Sequence, residues 1–335
     1  MRQLKLVLNE ALQLVNEDEY FILFNDGKAV RTNLPESVDI LVDEALDSSE
    51  YYSRDRSEIE TEIDSKVKFS NTIVINADIQ LKILHINDEE EYLNSNVIIK
   101  KNVNATISNV YYHVINDIKN KIEIVVEDNA KLTLKSITNC YGKFTNIING
   151  YLLENSLIVI DDIGLNDKEV DTLANIYILE ENAKADLTNV VINSTSLVQK
   201  YKYIITHIKG NTESTTKNYG ISRNSSYLTF DNFGVIKKGA SKTNLSQKTK
   251  GIILDMYSSV SANPLLEIDE NDVIANHGAS IGAIDEEELY YLMSRGLSRE
   301  ISEGLIVQAF VTPYFENLKD EKLIDYVNIE ISKHL

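Results

Sequence analysis

The sequence has few of the residues that form disulfides, thiolate metal sites and aromatic sugar platforms. Among its 335 residues there is one cysteine, Cys140, and no tryptophan. A single cysteine excludes an internal disulfide framework and suits a reducing cytosol, and the chain has no indole ring to stack on a sugar. Only three prolines and 13 glycines are present, and from their scarcity alone we infer little about function.

Several catalytic and nucleotide-binding motifs are also missing. Cys-x-x-Cys and His-Glu-x-x-His do not occur, so no zinc site of these types is predicted. The segment 142–145 comes nearest to a P-loop but lacks its upstream glycine and adjacent Ser/Thr, so we do not expect the chain to hydrolyse ATP. No apolar run reaches membrane-spanning length, and Glu10 interrupts the start before a signal-peptide core is complete. These absences predict a cytoplasmic protein.

Cationic residues are in the minority. Lys and Arg number 33 against 52 Asp and Glu, which gives a formal net charge of -19. Nucleic acids and anionic membranes bind basic surfaces, so neither is expected as a partner. The apolar fraction of 43% is enough for a sizeable core, and the length permits one elongated domain with appendages or two compact ones.

From Phe69 onward the chain repeats. Five asparagines recur at spacings of 26, 27, 26 and 27 residues: Asn76, Asn102, Asn129, Asn155 and Asn182. Small or aliphatic residues stand three before, three after and five after each asparagine: Ile73, Ile99, Val126, Leu152 and Leu179; Ile79, Ala105, Leu132, Ile158 and Ala185; Leu81, Ile107, Leu134, Ile160 and Leu187. The segments between them alternate like strands, and asparagine tolerates the left-handed conformation of a corner. The repeat predicts a mainly β protein, a right-handed parallel β-helix whose stacked turns bury these columns.

The remaining segments are predicted to extend and close the solenoid. Residues 1–65 form a small N-terminal cap, with a strand and tight turn over 21–27, a helix that starts at Pro35 and a polar linker over 47–56. Residues 66–284 form the β-helix core. After Asn182, further strands begin near three glycines: Gly220, Gly234 and Gly251. Residues 285–335 form a C-terminal helical domain that covers the open end, and its third helix starts at Pro313.

Residues 263–310 carry the densest set of signals. A strand that ends at Ile268 is entered through Pro264 and leads to a small-residue turn that contains His277. Asp285 then stands at an N-cap position with Glu288 at capping-box spacing.

The same stretch continues with a second helix. Gly296 is placed to end the first helix in the left-handed conformation, and Ser298 is placed to cap the next one. The apolar residues of that next helix recur at helical spacing: Ile301, Leu305, Ile306, Ala309 and Phe310.

This stretch also resembles the C-terminal signature of the SufB/SufD family, the scaffold proteins of iron–sulfur cluster assembly. The matching positions are Pro264, Leu266, Glu267, Ile268, Asp272, Val273, His277, Gly278, Ala279, Ser280, Ile281, Gly282, Asp285, Tyr290, Tyr291, Leu292, Ser294, Arg295 and Gly296. The histidine-glycine form of the turn is closer to SufD than to SufB. The resemblance implies a scaffold without catalytic activity, whose helices bind SufC, an ABC-type ATPase. It also implies that the solenoid end pairs with a SufB-type subunit or with a second copy of the chain.

The resemblance makes His277 the candidate iron or cluster ligand, close to a cysteine of the partner subunit. Without the resemblance, His277 would be interpreted as a structural turn histidine. Many SufD proteins carry a cysteine two residues earlier, where this chain has Ala275. No cofactor is expected to bind the chain tightly on its own, and iron or a cluster would reside at the interface only transiently.

The candidate SufC-docking surface lies on the first C-terminal helix. Its residues are Tyr290, Tyr291, Leu292, Arg295 and Gly296. The run is too apolar for one helix to hide entirely against its own chain, which indicates a docking face. The alternative is that these side chains pack on the solenoid and on the second helix.

Three other groups have structural interpretations. Cys140 and His207 are the other possible metal ligands, but Cys140 is expected to be a small buried apolar residue and His207 part of an inner or interface layer. Asp161 and Asp162 are the obvious acid pair for a carbohydrate-active solenoid, but adjacent strand residues point to opposite faces, so we interpret them as exposed loop carboxylates. Two alternatives to a scaffold subunit are kept: a carbohydrate-active β-solenoid and a purely structural one.

Overall fold

The computed structural model describes residues 2–42, 44–315 and 318–334. Its N-terminal elements are α1 (Arg2–Leu12), β1 (Tyr20–Asn25), β2 (Lys28–Asn33), β3 (Val38–Val42) and α2 (Glu58–Lys66). The following strands are β4 (Ser70–Ile75), β5 (Ile79–Asn87), β6 (Tyr92–Ile99), β7 (Asn104–Val114), β8 (Ile118–Val126), β9 (Lys131–Cys140), β10 (Phe144–Leu152), β11 (Leu157–Gly164), β12 (Val170–Ile178), β13 (Lys184–Asn193), β14 (Val198–His207), β15 (Glu213–Ser222), β16 (Tyr227–Ile236), β17 (Thr243–Ile253), β18 (Ser259–Ile268) and β19 (Val273–Ala283). The C-terminal helices are α3 (Glu286–Ser294), α4 (Arg299–Phe315) and α5 (Glu321–His334).

The strands form two sheets that face each other across a shared core, and the predicted parallel β-solenoid is confirmed. Sheet A has the order β19-β17-β15-β13-β11-β9-β7-β5-β1-β2, and sheet B the order β18-β16-β14-β12-β10-β8-β6-β4-β3. From β4 to β19 the chain alternates between the sheets, so each turn adds one strand to each. The hairpin β1–β2 and the pair β3–β4 are antiparallel.

All five asparagines lie at corners between sheet B and sheet A, as predicted, but one differs in backbone conformation. Four have left-handed φ angles of 63°, 57°, 55° and 61°: Asn102, Asn129, Asn155 and Asn182. Their amides also form a ladder, in which Asn182 donates to Asn155 at 3.0 Å and Asn155 donates to Asn129 at 3.1 Å. The first asparagine, Asn76, is outside the left-handed set and donates to Asp39 instead.

The residues of the predicted columns are buried, but the side chain of one of them points away from the core between the sheets. All but one of their members belong to the core between the sheets. Leu179 instead packs outside sheet B beside Tyr151. Ile178 takes the inward place, because it is the register partner of Leu152 and the following corner contains one extra residue.

The glycines that were predicted to begin strands lie near strand ends instead. Gly220, Gly234 and Gly251 are within β15, β16 and β17. A Cβ atom added at these positions would lie 2.7 Å from Phe230, 2.5 Å from Leu245 and 2.9 Å from Val260, respectively. They make room for large side chains of the opposite sheet rather than starting a strand.

The N-terminal segment contains the predicted strand and tight turn, but not the predicted helix at Pro35. Residues 38–42 form β3, in which Val38 is buried and Ile40 packs on the core while the residues between them are exposed. This period of two fits a strand better than a helix, and the free edge of β4 pairs with it. The supposed linker over 47–56 is ordered on sheet B, where Arg54 forms an ion pair with Glu60 of α2 at 2.5 Å.

The C-terminal helices pack differently from the prediction. Helices α4 and α5 lie on the outside of sheet A, against β11, β13 and β15, rather than over the open end. Outward positions of these strands are apolar, for example Ile163, Val190 and Ile192, and they need cover. Pro313 lies inside α4 instead of starting a third helix, because its neighbours Val311 and Tyr314 belong to the same buried layer.

This packing of the helices leaves one end of the solenoid open. The last strands, β18 and β19, remain largely exposed at the open end of the solenoid. Across the described ranges, no helix has the length and apolar character that crossing a membrane requires.

Candidate functional site

His277 lies in the last strand of sheet A and not in a turn. Its neighbours in β17 continue the parallel register, with Gln247 paired to His277 and Lys248 to Gly278. The turn prediction was wrong because glycine, alanine and serine can also extend a strand when a neighbouring strand supplies the hydrogen bonds. A Cβ atom added at Gly278 or Gly282 would meet nothing within 4 Å, so the space beside β19 is open.

The side chain of His277 faces the mouth of the solenoid. Residues at even spacing in a strand share one face, and Ala275 and Ile281 of this face pack on buried core clusters. His277 is therefore on the inward side, yet it is exposed, because β19 is the last strand of its sheet. The strand holds the imidazole at the end of the molecule, where another chain can reach it.

The described part of the chain does not form a complete metal site by itself. Among the described residues there is no group of three or more His, Cys, Asp or Glu side chains that could hold a metal ion. A neutral imidazole is a good ligand for iron, but His277 would need further ligands from outside the chain. Ala275 points to the same side of β19 and packs on Ile236, Ala240 and Leu245, so it adds no ligand.

The other two candidate ligands are core residues, as predicted. Cys140 is fully buried, and burial raises the pKa of its thiol well above the ordinary value. His207 is also fully buried and bonds Thr212 and Ser214, each at 2.8 Å. Burial lowers the pKa of His207 to about 4, so this imidazole is neutral and occupied by its two hydroxyl partners.

The candidate docking surface on α3 is exposed in part. Asp285 caps this helix as predicted, accepting from the backbone N–H of Glu287 at 2.8 Å. Tyr290 is 73% exposed and Tyr291 56% exposed. Leu292 instead packs on Ile284, Leu289 and Ile306 and fixes α3 to α4.

Arg295 and Gly296 shape the end of α3. The guanidinium of Arg295 lies 5.1 Å from the centre of the Tyr291 ring and donates to its hydroxyl at 3.1 Å. Gly296 has a φ of 94°, the left-handed conformation that was predicted for it. The contact with Arg295 restrains the exposed ring of Tyr291.

The acid pair that would support carbohydrate chemistry is divided between two faces. Asp161 faces outward, is 3% exposed and forms an ion pair with Lys135 at 3.1 Å. It lines a groove of about 960 Å³ outside sheet A, whereas Asp162 does not. Asp162 faces the interior, where Ser136 donates to it and burial raises its pKa to about 6. Both lie in β11, so the expectation of exposed loop carboxylates was wrong, but the prediction that they do not converge is correct.

Sequence reasoning missed two features of the open end. Leu265 of β18 is 45% exposed and Ile274 of β19 is 66% exposed, so the rim of the mouth is partly apolar. Gln247 is buried beside His277. The sequence does indicate Gln247, because it is a polar residue at the position of the repeat that Leu81 and Leu187 occupy in earlier turns.

Comparisons with known proteins agree with the architecture and the motif. The family described as "SUF system FeS cluster assembly, SufBD core domain" matches residues 84–310, more than half of the chain. The chain therefore belongs to this family, and the resemblance found in the C-terminal stretch is confirmed.

Individual relatives support the same family. The chain is 30% identical over 207 residues to the Bacillus subtilis "Iron-sulfur cluster assembly protein SufD", a match that covers 59% of this chain and 46% of that one. It is 29% identical over 209 residues to an "Iron-sulfur cluster assembly SufBD family protein" of Staphylococcus epidermidis, covering 61% and 44%. A Staphylococcus aureus protein of the same description matches equally. The matches thus span less than half the length of these relatives.

Proposed function

We propose that this chain is a non-catalytic scaffold subunit of a cytoplasmic SUF complex. Its helical surface around Tyr290 and Tyr291 binds the SufC ATPase, and the open end of the solenoid binds a SufB-type subunit or a second copy of the chain. Iron or a nascent cluster is the cargo of that interface, with His277 as the ligand from this side. The observation that carries the proposal is the exposed end of a SufBD-family solenoid, where no further strand or helix of the described residues lies over β18 and β19.

Physical arguments support both surfaces. A long exposed strand edge is a template for pairing with another chain, and soluble proteins usually cover such edges. The aromatic residues of α3 are typical anchors of a helix that docks in a groove. Movement of the bound ATPase would act on α3 and α4, which pack beside the open end through Ile252 and Leu254.

The first test is co-expression with SufC and a SufB-type subunit from the same genome. Replacing both Tyr290 and Tyr291 by Ala should reduce the recovered SufC at least tenfold, because it removes two exposed rings without touching the buried core. Tyr257→Ala is the matched control, since Tyr257 is 68% exposed on the loop before β18. Equal recovery of SufC with all variants would contradict the docking surface. Deleting residues 285–335 is a poorer test, because α4 and α5 cover apolar residues of sheet A.

The second test concerns His277. Anaerobic reconstitution of the complex with iron and sulfide should give less cluster with His277→Ala than with the unchanged chain. An unchanged yield would remove the ligand role and leave the adaptor role intact.

A further inference from the structure

One column of inward-facing residues in sheet A changes from aliphatic to polar toward the open end. Its early members are aliphatic: Leu81, Ile107, Leu134, Ile160 and Leu187. By register the next members are Thr216, Gln247 and His277. The column therefore becomes polar over the last three turns, just before it reaches the candidate ligand.

Gln247 is the unusual member of this column. It is 4% exposed, and its Oε1 atom is buried without a hydrogen-bond partner among the described residues. Nearby interior amides are paired: Asn218 donates to Asn232 at 3.0 Å and to Thr249 at 3.2 Å. A buried acceptor without a donor destabilises a fold, and a leucine, as in the earlier turns, would avoid this.

The geometry indicates which donor Gln247 would take. Gln247 and His277 are register partners on adjacent parallel strands and share the inward face, and neighbouring strands lie about 4.8 Å apart. The amide nitrogen of Gln247 lies toward Gly234, where an added Cβ would be 3.1 Å away. The exposed ring of His277 can rotate to place an N–H against the amide oxygen.

We propose that Gln247 is a positioning residue for His277. Its Oε1 accepts a hydrogen bond from one ring N–H, which fixes the tautomer and leaves the other ring nitrogen unprotonated. That nitrogen then points out of the mouth, where an iron ion can bind it. Metal-binding histidines are commonly oriented by such an outer partner. The iron-binding part of this proposal rests on the proposed function, whereas the hydrogen bond between Gln247 and His277 forms within this chain alone.

The test compares three substitutions: Gln247→Leu, Gln247→Glu and Thr216→Val. Glu keeps an acceptor at this position, and Thr216, 2% exposed, is the matched control one turn deeper in the same column. Ring ¹⁵N shifts of the lone chain labelled at its five histidines report the tautomer of His277, with His277→Ala assigning its signals. Ferrous iron binding is then measured in the assembled complex.

Gln247→Leu should lose the single tautomer and weaken iron binding about 10- to 100-fold. Gln247→Glu should retain one tautomer, and Thr216→Val should change neither readout. If Gln247→Leu changes neither the tautomer nor the affinity while His277→Ala abolishes binding, the positioning role is overturned and the ligand role survives. If His277→Ala leaves iron binding unchanged, the ligand role itself fails, and the positioning role fails with it.

Discussion

At the scale of single residues, adjacent side chains in one strand have opposite environments. Asp161 meets Lys135 on the outside of sheet A, whereas Asp162 lies among polar and aromatic side chains in the interior. The alternation of a strand predicts this division from the sequence alone. The low exposure of the two residues could not be predicted, because it depends on the helices outside and on sheet B inside.

The raised pKa of Asp162 predicts a pH dependence of stability. Burial raises this pKa from 3.8 to about 6, so the folded state binds the proton more tightly than the unfolded state. The free energy of unfolding therefore falls as pH rises from about 4 to about 6, by roughly 1.4 kcal/mol for each pH unit of that range. Asp162→Asn cannot ionise and should be more stable than the unchanged chain at pH 7.5, by about 1–3 kcal/mol. Urea unfolding at pH 5.0 and 7.5 measures this, and the advantage should be larger at pH 7.5.

The neighbouring position supplies the control. Asp161→Asn removes the partner of a buried lysine, so it should destabilise the fold by about 3–5 kcal/mol at pH 7.5. If Asp162→Asn is also less stable than the unchanged chain at that pH, the interior carboxyl is stabilising in its charged form and the explanation is wrong.

At the scale of elements, local conformational preferences predicted much of the solenoid. The asparagine corners and the caps of α3 follow from the backbone behaviour of single residue types, and this is visible in the sequence. The helix at Pro35 and the turn at His277 were wrong for a common reason. Both segments became strands because the free edge of a neighbouring strand was available, and such pairing is set by the tertiary structure.

The corner ladder predicts a graded response to substitution at Asn155. Alanine there loses two amide hydrogen bonds and places a side chain in the left-handed region, so Asn155→Ala should lower the free energy of unfolding by about 1–3 kcal/mol. Asn155→Gly should cost less, because glycine adopts this conformation freely. Asn76→Ala should change stability by less than about 0.5 kcal/mol, as for most surface substitutions. Chemical denaturation of the three variants checks the order, and an equal loss for Asn76→Ala and Asn155→Ala would contradict the assigned corner conformations.

At the scale of the whole molecule, the outside of the solenoid determines where function can reside. Helices α4 and α5 cover the apolar side of sheet A, and the segment around Arg54 and α2 covers part of sheet B. No described helix covers the open end in this way, and β18 and β19 are largely exposed there. The sequence could not show which surface the helices take, because apolar outward positions on a strand look the same as inward ones until the register is known.

The central claim is that this open end is a subunit interface, and one measurement tests it most directly. Native mass spectrometry of the co-expressed complex compares the variants Ile274→Asp and Ile329→Asp. Ile274 lies on β19 and is 66% exposed, and Ile329 lies on α5 and is 57% exposed. A charge buried in an interface is strongly unfavourable, whereas the same change on a free surface is nearly neutral. Ile274→Asp should lose the second scaffold subunit and keep SufC, and Ile329→Asp should keep both. An intact assembly with Ile274→Asp would contradict the account.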